Sequence, residues 1–346
     1  MKVAVLRGPQ DLVVIDIDEP VAGPDDIVVK VGTAGICGSD LASYATGVYV
    51  RPGQIMGHEF AGTVVEVGAH VVGIGEGLRV TVRPLGQCGA CVACAMGLKH
   101  VCERAVRDAV GYGHPGAFAE YVRIPKAVLG DNVFALPDAM PDSSAAVVEV
   151  FAVALHAVSR LNASPGGSCV VLGLGPVGIA ATQVLRSAGV HRIVGIDNSA
   201  FRQQMASSLG AQRVADFDGM LDAVRSVAGP GPGGRGAGAD TVLEASGAAA
   251  LLSSSTSLLR SAGRLGLVGL YKGPIALDMN EWVTRELELV GCYGYDKEFG
   301  DALELVTRNM VDVQTMITAT YPLDSIVEAF AAQADPDHHV KVQIQP

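Results

Sequence analysis

The chain passes from a short apolar run into a glycine-rich turn at Val170-Val171-Leu172-Gly173-Leu174-Gly175-Pro176-Val177-Gly178. A segment with helical spacing, Gly178–Ala188, follows at once. In the order strand, G-x-G-x-x-G, helix, the glycines permit a tight turn and let a pyrophosphate approach the backbone, while the helix N-terminus offers free N–H groups. The sequence therefore predicts a dinucleotide site formed by Gly173, Gly175, Pro176, Val177 and Gly178.

An acidic residue follows this turn at the distance typical of a dinucleotide-binding unit. Asp197 lies nineteen residues after Gly178, at the end of the next apolar run. A carboxylate there accepts hydrogen bonds from the ribose hydroxyls and repels a 2′-phosphate, which favours NAD over NADP. Two alternatives remain open, because Asp197 could cap a helix and Arg202 could accommodate the phosphate of NADP.

The region around the turn alternates apolar runs with helical segments from about Ser143 to Gly294. The apolar runs predicted as buried parallel strands are Val170–Leu172, Arg192–Ile196, Thr241–Glu244 and Gly263–Gly269. The segments predicted as helices between them include Gly178–Ala188 and Ala200–Leu209. This alternation predicts βαβ units and a Rossmann doubly wound parallel sheet over residues 148–294.

The flanking regions have the pattern of short β-strands. Runs rich in Val and Ile, separated by Gly, Pro and Asp, fill the first third of the chain, and a closing strand is predicted at Val340–Ile344. We therefore predict an α/β protein whose second, β-rich domain is formed by residues 1–147 and 295–346.

Composition sets the broad class of the protein. The 346 residues suffice for two domains, and 49% hydrophobic with 18% charged residues is a globular composition. A net charge of −11 argues against nucleic-acid or anionic-membrane partners. The N-terminal run Met1–Arg7 is too short for a signal peptide, and no uninterrupted apolar run reaches membrane-spanning length, so a cytoplasmic protein is expected.

Four cysteines lie within fifteen residues, with the spacing Cys88-x2-Cys91-x2-Cys94-x7-Cys102. Four thiolates can surround one Zn²⁺ tetrahedrally, and such a closed site holds a loop rather than performing chemistry. Disulfides or unrelated buried thiols are the alternatives, and both are disfavoured in a protein without a secretion signal. The lobe 88–102 is therefore predicted to bind a structural zinc.

Three further segments carry possible ligands of a reaction centre. They supply a thiol at Cys37, an imidazole beside a carboxylate at His58 and Glu59, and a second carboxylate at Glu149. Each has an ordinary structural alternative: a buried thiol, a loop histidine, or a charge at the start of a helix.

Taken in order, these motifs resemble the zinc-containing medium-chain dehydrogenase/reductase (alcohol dehydrogenase) family, and most of all its polyol and threonine dehydrogenase branch. The resemblance covers essentially the whole chain. The motifs that carry it are Gly35-Ile36-Cys37-Gly38-Ser39-Asp40, Gly57-His58-Glu59, the four-cysteine lobe, Gly116–Tyr121, the glycine-rich turn and Val340-Lys341-Val342.

The resemblance implies a role for each matching residue. Cys37 and His58 would be the fixed ligands of a catalytic zinc, giving two zinc ions per chain with the lobe. Glu59 and Glu149 would bind that zinc directly or through its water. Ser39 would accept the proton of the substrate, and Asp40 would lie beside the ligands. The histidine that often follows two residues later is Ala42 here, so the onward route of the proton differs.

The implied protein is an enzyme with a GroES-like catalytic domain that transfers a hydride between NAD(H) and a secondary alcohol or ketone. A polyol, sugar or cyclitol is the favoured substrate. Threonine-type oxidation, simple alcohol oxidation or aldehyde reduction are the alternatives within the family. A non-catalytic NAD-binding redox sensor is the alternative outside it. Relatives are usually dimers or tetramers, so a homo-oligomer is expected.

Overall fold

A computed structural model describes residues 1–231 and 233–346. The chain forms two units, the first of Met1–Glu149, Phe299–Asn309 and Val313–Pro346, and the second of Val150–Glu298 and Met310–Asp312. The boundaries expected after residues 147 and 294 lie a few positions before these. The short return at Met310–Asp312 was not expected. It joins the second unit because the Gln183 amide donates to the Asp312 carbonyl and accepts from the Asp312 N–H.

The strands and helices have the following bounds. The strands are β1 (Lys2–Gly8), β2 (Asp11–Asp16), β3 (Ile27–Gly35), β4 (Gln54–Ile55), β5 (Glu59–Val67), β6 (Arg79–Val82), β7 (Tyr121–Ile124), β8 (Val133–Ala135), β9 (Ser168–Leu172), β10 (Arg192–Ile196), β11 (Arg213–Ala215), β12 (Ala239–Glu244), β13 (Leu259–Leu267), β14 (Glu288–Gly291), β15 (Ile317–Pro322) and β16 (Lys341–Gln345). The α-helices are α1 (Gly38–Thr46), α2 (Val92–Ala95), α3 (Asp142–Ala145), α4 (Val148–Leu161), α5 (Pro176–Ser187), α6 (Ala200–Ser208), α7 (Met220–Ala228), α8 (Ala249–Ser254), α9 (Met279–Thr284), α10 (Glu298–Thr307) and α11 (Ile326–Gln333).

The first unit is built around β3, which pairs antiparallel with β5, β7 and β16. The sheet order is β15-β16-β3-β5-β6-β8, and a smaller sheet has the order β2-β1-β4. Val, Ile and Phe side chains of these strands form the core. The register sets Gly35, the last residue of β3, opposite both Glu59 and Gln343. Three distant segments of sequence therefore meet at this end of β3.

The second unit has a parallel sheet of order β11-β10-β9-β12-β13-β14. Every pair of neighbouring strands in this order is parallel. Numbered from its first strand, the order is that of the Rossmann fold, in which ligands bind at the carboxyl edge where the chain reverses direction. All five residues of β9 are buried, as a central parallel strand requires. The predicted α/β class, with a doubly wound sheet beside a β-rich unit, is confirmed.

The stretch Asp142–Leu161 is long and apolar enough, by length and composition, to cross a membrane. The sequence argument did not single it out. In the structure 72% of its apolar window is buried inside the protein, which is the behaviour of a core helix.

A buried His–Glu pair joins α4 to the start of α10. His156 Nδ1 lies 3.0 Å from Glu298 Oε1, and the Asp296 N–H donates to Glu298 Oε2 at 2.8 Å. Burial opposes ionisation of Glu298, but the hydrogen bonds from His156 and Asp296 outweigh it and lower the pKa of Glu298 to about 2. The pair therefore stabilises the folded protein above the usual glutamate pKa of 4.5, and this contribution is lost as the pH falls toward 2.

We therefore expect Glu298→Gln to lower the denaturant midpoint relative to the unsubstituted protein at pH 6, and this difference to shrink as the pH falls from about 4.5 toward 2. The physical reason is that the native Glu298 loses its charge-dependent stabilisation over that range. Glu304→Gln, in the exposed pair with Arg308, is the control and should show no such trend. A difference that stays constant with pH would contradict the assignment.

Candidate zinc and dinucleotide sites

Cys37 stands at the junction between β3 and α1. It is the N-cap of α1, with extended backbone angles of φ −93° and ψ 161°. The Asp40 carboxylate accepts a hydrogen bond from the Cys37 N–H at 2.9 Å and closes the first turn of the helix. The thiol is thus held at a helix N-terminus, next to its free N–H groups.

Asp40 also faces His58. Its Oδ1 lies 3.6 Å from His58 Nδ1, and both side chains are buried. Burial disfavours the charged imidazole, but the electrostatic effects of Tyr112 and then of the Asp40 carboxylate outweigh it, and the pKa of His58 is raised well above its usual value. His58 Nδ1 makes no hydrogen bond to the described residues, so Asp40 acts on the ring through its charge, and Nε2 lies on the opposite side of the imidazole.

Glu59 is held by a buried cation. Lys341 Nζ donates to Glu59 Oε2 at 2.6 Å and to the carbonyl of Ile36 at 3.0 Å, and both charged side chains are 1% exposed. Burial lowers the pKa of Lys341, but the charges of Glu59 and Cys37 outweigh this and raise it. Glu59 Oε1 is also buried, and no hydrogen-bond partner for it occurs among the described residues.

The ligand atoms of Cys37, His58 and Glu59 all lie within 4.8 Å of one another. Donors bound to one zinc are separated by about 3.3–3.8 Å, so small side-chain shifts would complete the geometry. A buried carboxylate oxygen without a partner is costly unless a cation meets it. Thiolate, imidazole and carboxylate are also the donor types that zinc takes, so these residues fit the metal.

The fourth predicted ligand, Glu149, lies outside this group of three. Its carboxylate contributes to the raised pKa of Lys341, which places it in the same electrostatic neighbourhood. It stands in the first turn of α4. That Glu149 binds the metal, directly or through a water molecule, stays a prediction.

The four cysteines of the lobe 88–102 come together as expected from their spacing. Cys88 Sγ lies 4.0 Å from Cys94 Sγ, and Cys91 Sγ lies 3.7 Å from Cys102 Sγ. These separations exclude disulfides, which bring sulfurs to about 2.05 Å, and match the sulfur–sulfur distance of about 3.8 Å expected around tetrahedral zinc.

Backbone N–H groups of the lobe point at its sulfur atoms. Cys88 Sγ accepts from the N–H groups of Ala90 and Cys91, and these bonds lower the pKa of Cys88. The N–H of Cys94 is the main cause that lowers the pKa of Cys91 to about 6. Such N–H donors stabilise thiolates, the form that binds zinc.

The glycine-rich turn joins β9 to α5. Gly175 is the N-cap of α5 and Pro176 occupies its first turn, where the fixed φ of proline suits a helix start. A Cβ on Gly178 would lie 1.9 Å from the carbonyl oxygen of Gly173, so glycine is required for the helix to pack this closely. The turn thus leads directly into the N-terminus of α5, and the binding of a coenzyme phosphate there stays a prediction.

Asp197 is fixed against this turn. Its two carboxylate oxygens accept from the N–H groups of Leu174 and Ser199, at 2.8 and 2.9 Å. The N-cap of α6 is Ser199, so the helix-cap alternative for Asp197 does not hold. Arg202 Nη1 lies about 4 Å from where a Cβ of Gly175 would be, so a guanidinium is also close to the turn.

Two residues near the metal ligands were missed by the sequence argument as contributors to the site. Lys341 had a signal, because a lysine alternating with Val340 and Val342 in a closing strand needs a partner if that strand is buried. Tyr112 had none. Its hydroxyl lies 2.8 Å from Ser39 Oγ and 3.5 Å from His58 Nε2, in a loop 73 residues after Ser39. Burial raises the pKa of this phenol, so it stays protonated.

Comparison with known proteins matches both parts of the chain. The alcohol dehydrogenase GroES-like domain matches residues 23–138, and the zinc-binding dehydrogenase domain matches residues 176–308. Sorbitol dehydrogenase of Bacillus subtilis (strain 168) is 29% identical over 339 residues, which cover 95% of this chain and 92% of that enzyme. L-threonine 3-dehydrogenase of Bacillus velezensis is 31% identical over 324 residues, covering 91% of this chain and 90% of that enzyme.

The same similarity extends to solved structures. A zinc-binding dehydrogenase from Sinorhizobium meliloti 1021, crystallised with NADP, superposes with a TM-score of 0.91 at 29% identity, over 100% of this chain and 99% of that one. The order of motifs, both domain matches and full-length relatives agree. The chain therefore belongs to the zinc-containing medium-chain dehydrogenase/reductase family, in its polyol and threonine dehydrogenase branch.

Proposed function

We propose that this zinc-dependent alcohol dehydrogenase oxidises a secondary alcohol of a polyol, sugar or cyclitol with NAD. The observation that carries the proposal is the group of Cys37, His58 and Glu59, whose ligand atoms lie within 4.8 Å of one another and in which the buried Glu59 Oε1 has no hydrogen-bond partner among the described residues. When bound, zinc supplies a Lewis acid for the substrate oxygen, and the nicotinamide coenzyme supplies the hydride acceptor.

The residues of this chain prepare that chemistry. The charge of Asp40 acts on His58, and Lys341 fixes one oxygen of Glu59 so that the other stays free. The Ser39 hydroxyl accepts the substrate proton when the alcohol is oxidised. The N-terminus of α5 holds the coenzyme diphosphate.

A second substrate class, a β-hydroxy amino acid of the threonine type, is favoured by one observation. The threonine dehydrogenase relatives reach 31–32% identity, slightly above the 29% of the sorbitol dehydrogenase. We keep the polyol class first because the Glu149 carboxylate lies in the same electrostatic neighbourhood as Glu59, and this negative charge suits a neutral polyhydroxy substrate better than an amino acid carboxylate. The redox sensor is not favoured, because the chain belongs to a family of enzymes and retains the catalytic donor set.

A substrate panel tests the proposal. Sorbitol, other polyols, sugars, cyclitols, L-threonine and simple alcohols would each be offered with NAD and with NADP, and reduction followed at the nicotinamide absorbance. We expect the highest kcat/KM with a polyhydroxy substrate and NAD. Preference for L-threonine would move the enzyme to the second class, and no turnover with any alcohol in the zinc-loaded protein would contradict the proposed function.

The coenzyme preference depends on Asp197. We expect Asp197→Ala to lower kcat/KM for NAD by about tenfold to hundredfold, the value of hydrogen bonds to a charged group, and to raise the ratio of NADP to NAD activity because the repelling charge is gone. Steady-state kinetics with both coenzymes measures this, and Asp222→Ala, on the surface of the same unit, is the control. An unchanged ratio would contradict the role assigned to Asp197 in coenzyme choice.

We also propose that the enzyme is a cytoplasmic homo-oligomer. The edge strand β14 supports assembly, because within the described sheet it pairs with β13 alone and Leu289 on it is 48% exposed. The seven cysteines are all free thiols, as a reducing compartment allows. Light scattering in solution is expected to give the mass of a dimer or tetramer, and a monomer would contradict the proposal.

A further inference from the structure

The contact between Tyr112 and Ser39 answers a question that the sequence leaves open. Members of the family often have a histidine where this chain has Ala42, and a methyl group cannot orient or relay a proton. The structure instead places a phenol hydroxyl 2.8 Å from the Ser39 hydroxyl. The same hydroxyl lies 3.5 Å from Nε2 of His58, the nitrogen turned away from Asp40. The Tyr112 hydroxyl, and the Ser39 hydroxyl bonded to it, are therefore on the Nε2 side of the imidazole.

The backbone around Tyr112 is built to hold it there. Gly111 has a φ of +87°, and a Cβ on it would lie 2.7 Å from the carbonyl oxygen of Gly57, directly before His58. A Cβ on Gly113 would lie 1.6 Å from the carbonyl oxygen of Arg107. Position 111 and position 113 therefore each require glycine. The turn is thus pressed against the His58 segment, and the ring of Tyr112 packs on the imidazole with their centroids 4.9 Å apart.

We propose that Tyr112 is a positioning residue that fixes the direction in which Ser39 accepts the substrate proton; this inference rests on the proposed function. In this arrangement we assign the Tyr112 hydroxyl as the donor and one lone pair of Ser39 Oγ as the acceptor of their 2.8 Å hydrogen bond. A serine hydroxyl has two lone pairs and one hydrogen, so the second lone pair stays free for the substrate hydroxyl and the hydrogen points onward.

The proton balance of this arrangement is simple. The O–H bond of the substrate breaks as a new O–H bond forms at Ser39 Oγ, and the original Ser39 proton passes to water. Tyr112 keeps its own proton throughout and changes neither charge nor bonding. Its effect is to remove the rotational freedom of Ser39, so that the acceptor is already aligned when the substrate binds.

A double-substitution cycle in the zinc-loaded enzyme tests the inference, with the best substrate of the panel above. Tyr112→Phe keeps the ring and removes only the hydroxyl. It should lower kcat by about tenfold, the order of one oriented hydrogen bond, while KM changes by less than about twofold. The solvent deuterium isotope effect on kcat should rise, because proton transfer becomes slower relative to the other steps.

The decisive arm is the Ser39→Ala background. If Tyr112 acts through Ser39, Tyr112→Phe should cause almost no further loss in that background, because its target is gone. Tyr321→Phe, which removes the phenol hydroxyl of a partly buried tyrosine on β15, is the matched control and should leave all parameters unchanged. Zinc content and denaturant midpoint, measured on each variant, show whether the site is still assembled.

Equal losses in both backgrounds, or a change confined to KM, would overturn the inference and make Tyr112 a direct substrate contact. An unchanged kcat in Tyr112→Phe would overturn it as well. These results differ from failure of the proposed function, in which the unsubstituted enzyme itself would oxidise no alcohol of the panel.

Discussion

Substitution of Cys37 by alanine is expected to remove one zinc ion per chain and to reduce hydride transfer about a thousandfold or more. A Lewis acid contributes several kcal/mol to such a reaction, and each 1.36 kcal/mol is a factor of ten in rate. Cys37 is one of the three clustered donors, and its loss leaves the metal with His58 and one carboxylate oxygen of Glu59. Metal analysis and steady-state kinetics on the purified variant measure both effects.

Two matched variants make this result specific. Cys292→Ala removes a buried free thiol of the second unit and should keep two zinc ions and full activity. Cys102→Ser should lose the other zinc ion, that of the lobe 88–102, whose four thiols converge. If Cys37→Ala retained two zinc ions and near-normal activity, the catalytic-zinc assignment would be wrong.

Substitution of Lys341 by methionine is expected to lower the free energy of unfolding by about 3–5 kcal/mol in zinc-free protein, because it leaves the buried Glu59 carboxylate without its cation. The Lys341–Glu59 pair is 1% exposed on both sides, so water cannot replace the lost partner. Added zinc should recover part of this loss, since the metal would then neutralise Glu59. Chemical denaturation with and without zinc measures the difference.

The double variant Glu59→Gln, Lys341→Met separates charge from packing. It should be more stable than Lys341→Met alone, because no buried charge remains unpaired. Lys2→Met breaks the exposed pair with Asp324 and should leave the denaturation midpoint unchanged. If Lys341→Met behaved like Lys2→Met, Lys341 would have no role in holding Glu59.

The fold could be predicted largely from local patterns. The turn from Gly173 to Gly178 and the apolar runs on either side of it indicate β9, α5 and β10 within a stretch of chain short enough for sequence spacing to fix the geometry. The four thiols of the lobe 88–102 are a similar case, because a single loop carries every donor. The ends of strands were less well defined. β3 extends to Gly35, and the residues of β3 alone do not predict that it pairs with β5 and β16.

The predicted zinc ligands show more clearly what sequence patterns alone cannot predict. Cys37, His58 and Glu59 were proposed through resemblance to a family, since each alone has an ordinary structural explanation. The carboxylate predicted at Glu149 illustrates the difficulty, because the donor group formed by the other three does not include it. Sequence spacing cannot tell a direct ligand from a nearby charge when the distance depends on how a helix packs.

The sequence by itself determined the parallel-sheet unit, the phosphate-binding turn and the four-thiol lobe, because the residues of each are close in the chain and their conformations are set by local sterics. Only the tertiary structure decided what surrounds the reaction centre. Lys341 reaches Glu59 across 282 residues, and Tyr112 reaches Ser39 across 73. Both contacts depend on strand register and on a turn packed against another turn. Strand register and turn packing depend on contacts throughout the core, and no residue spacing within a single segment predicts them.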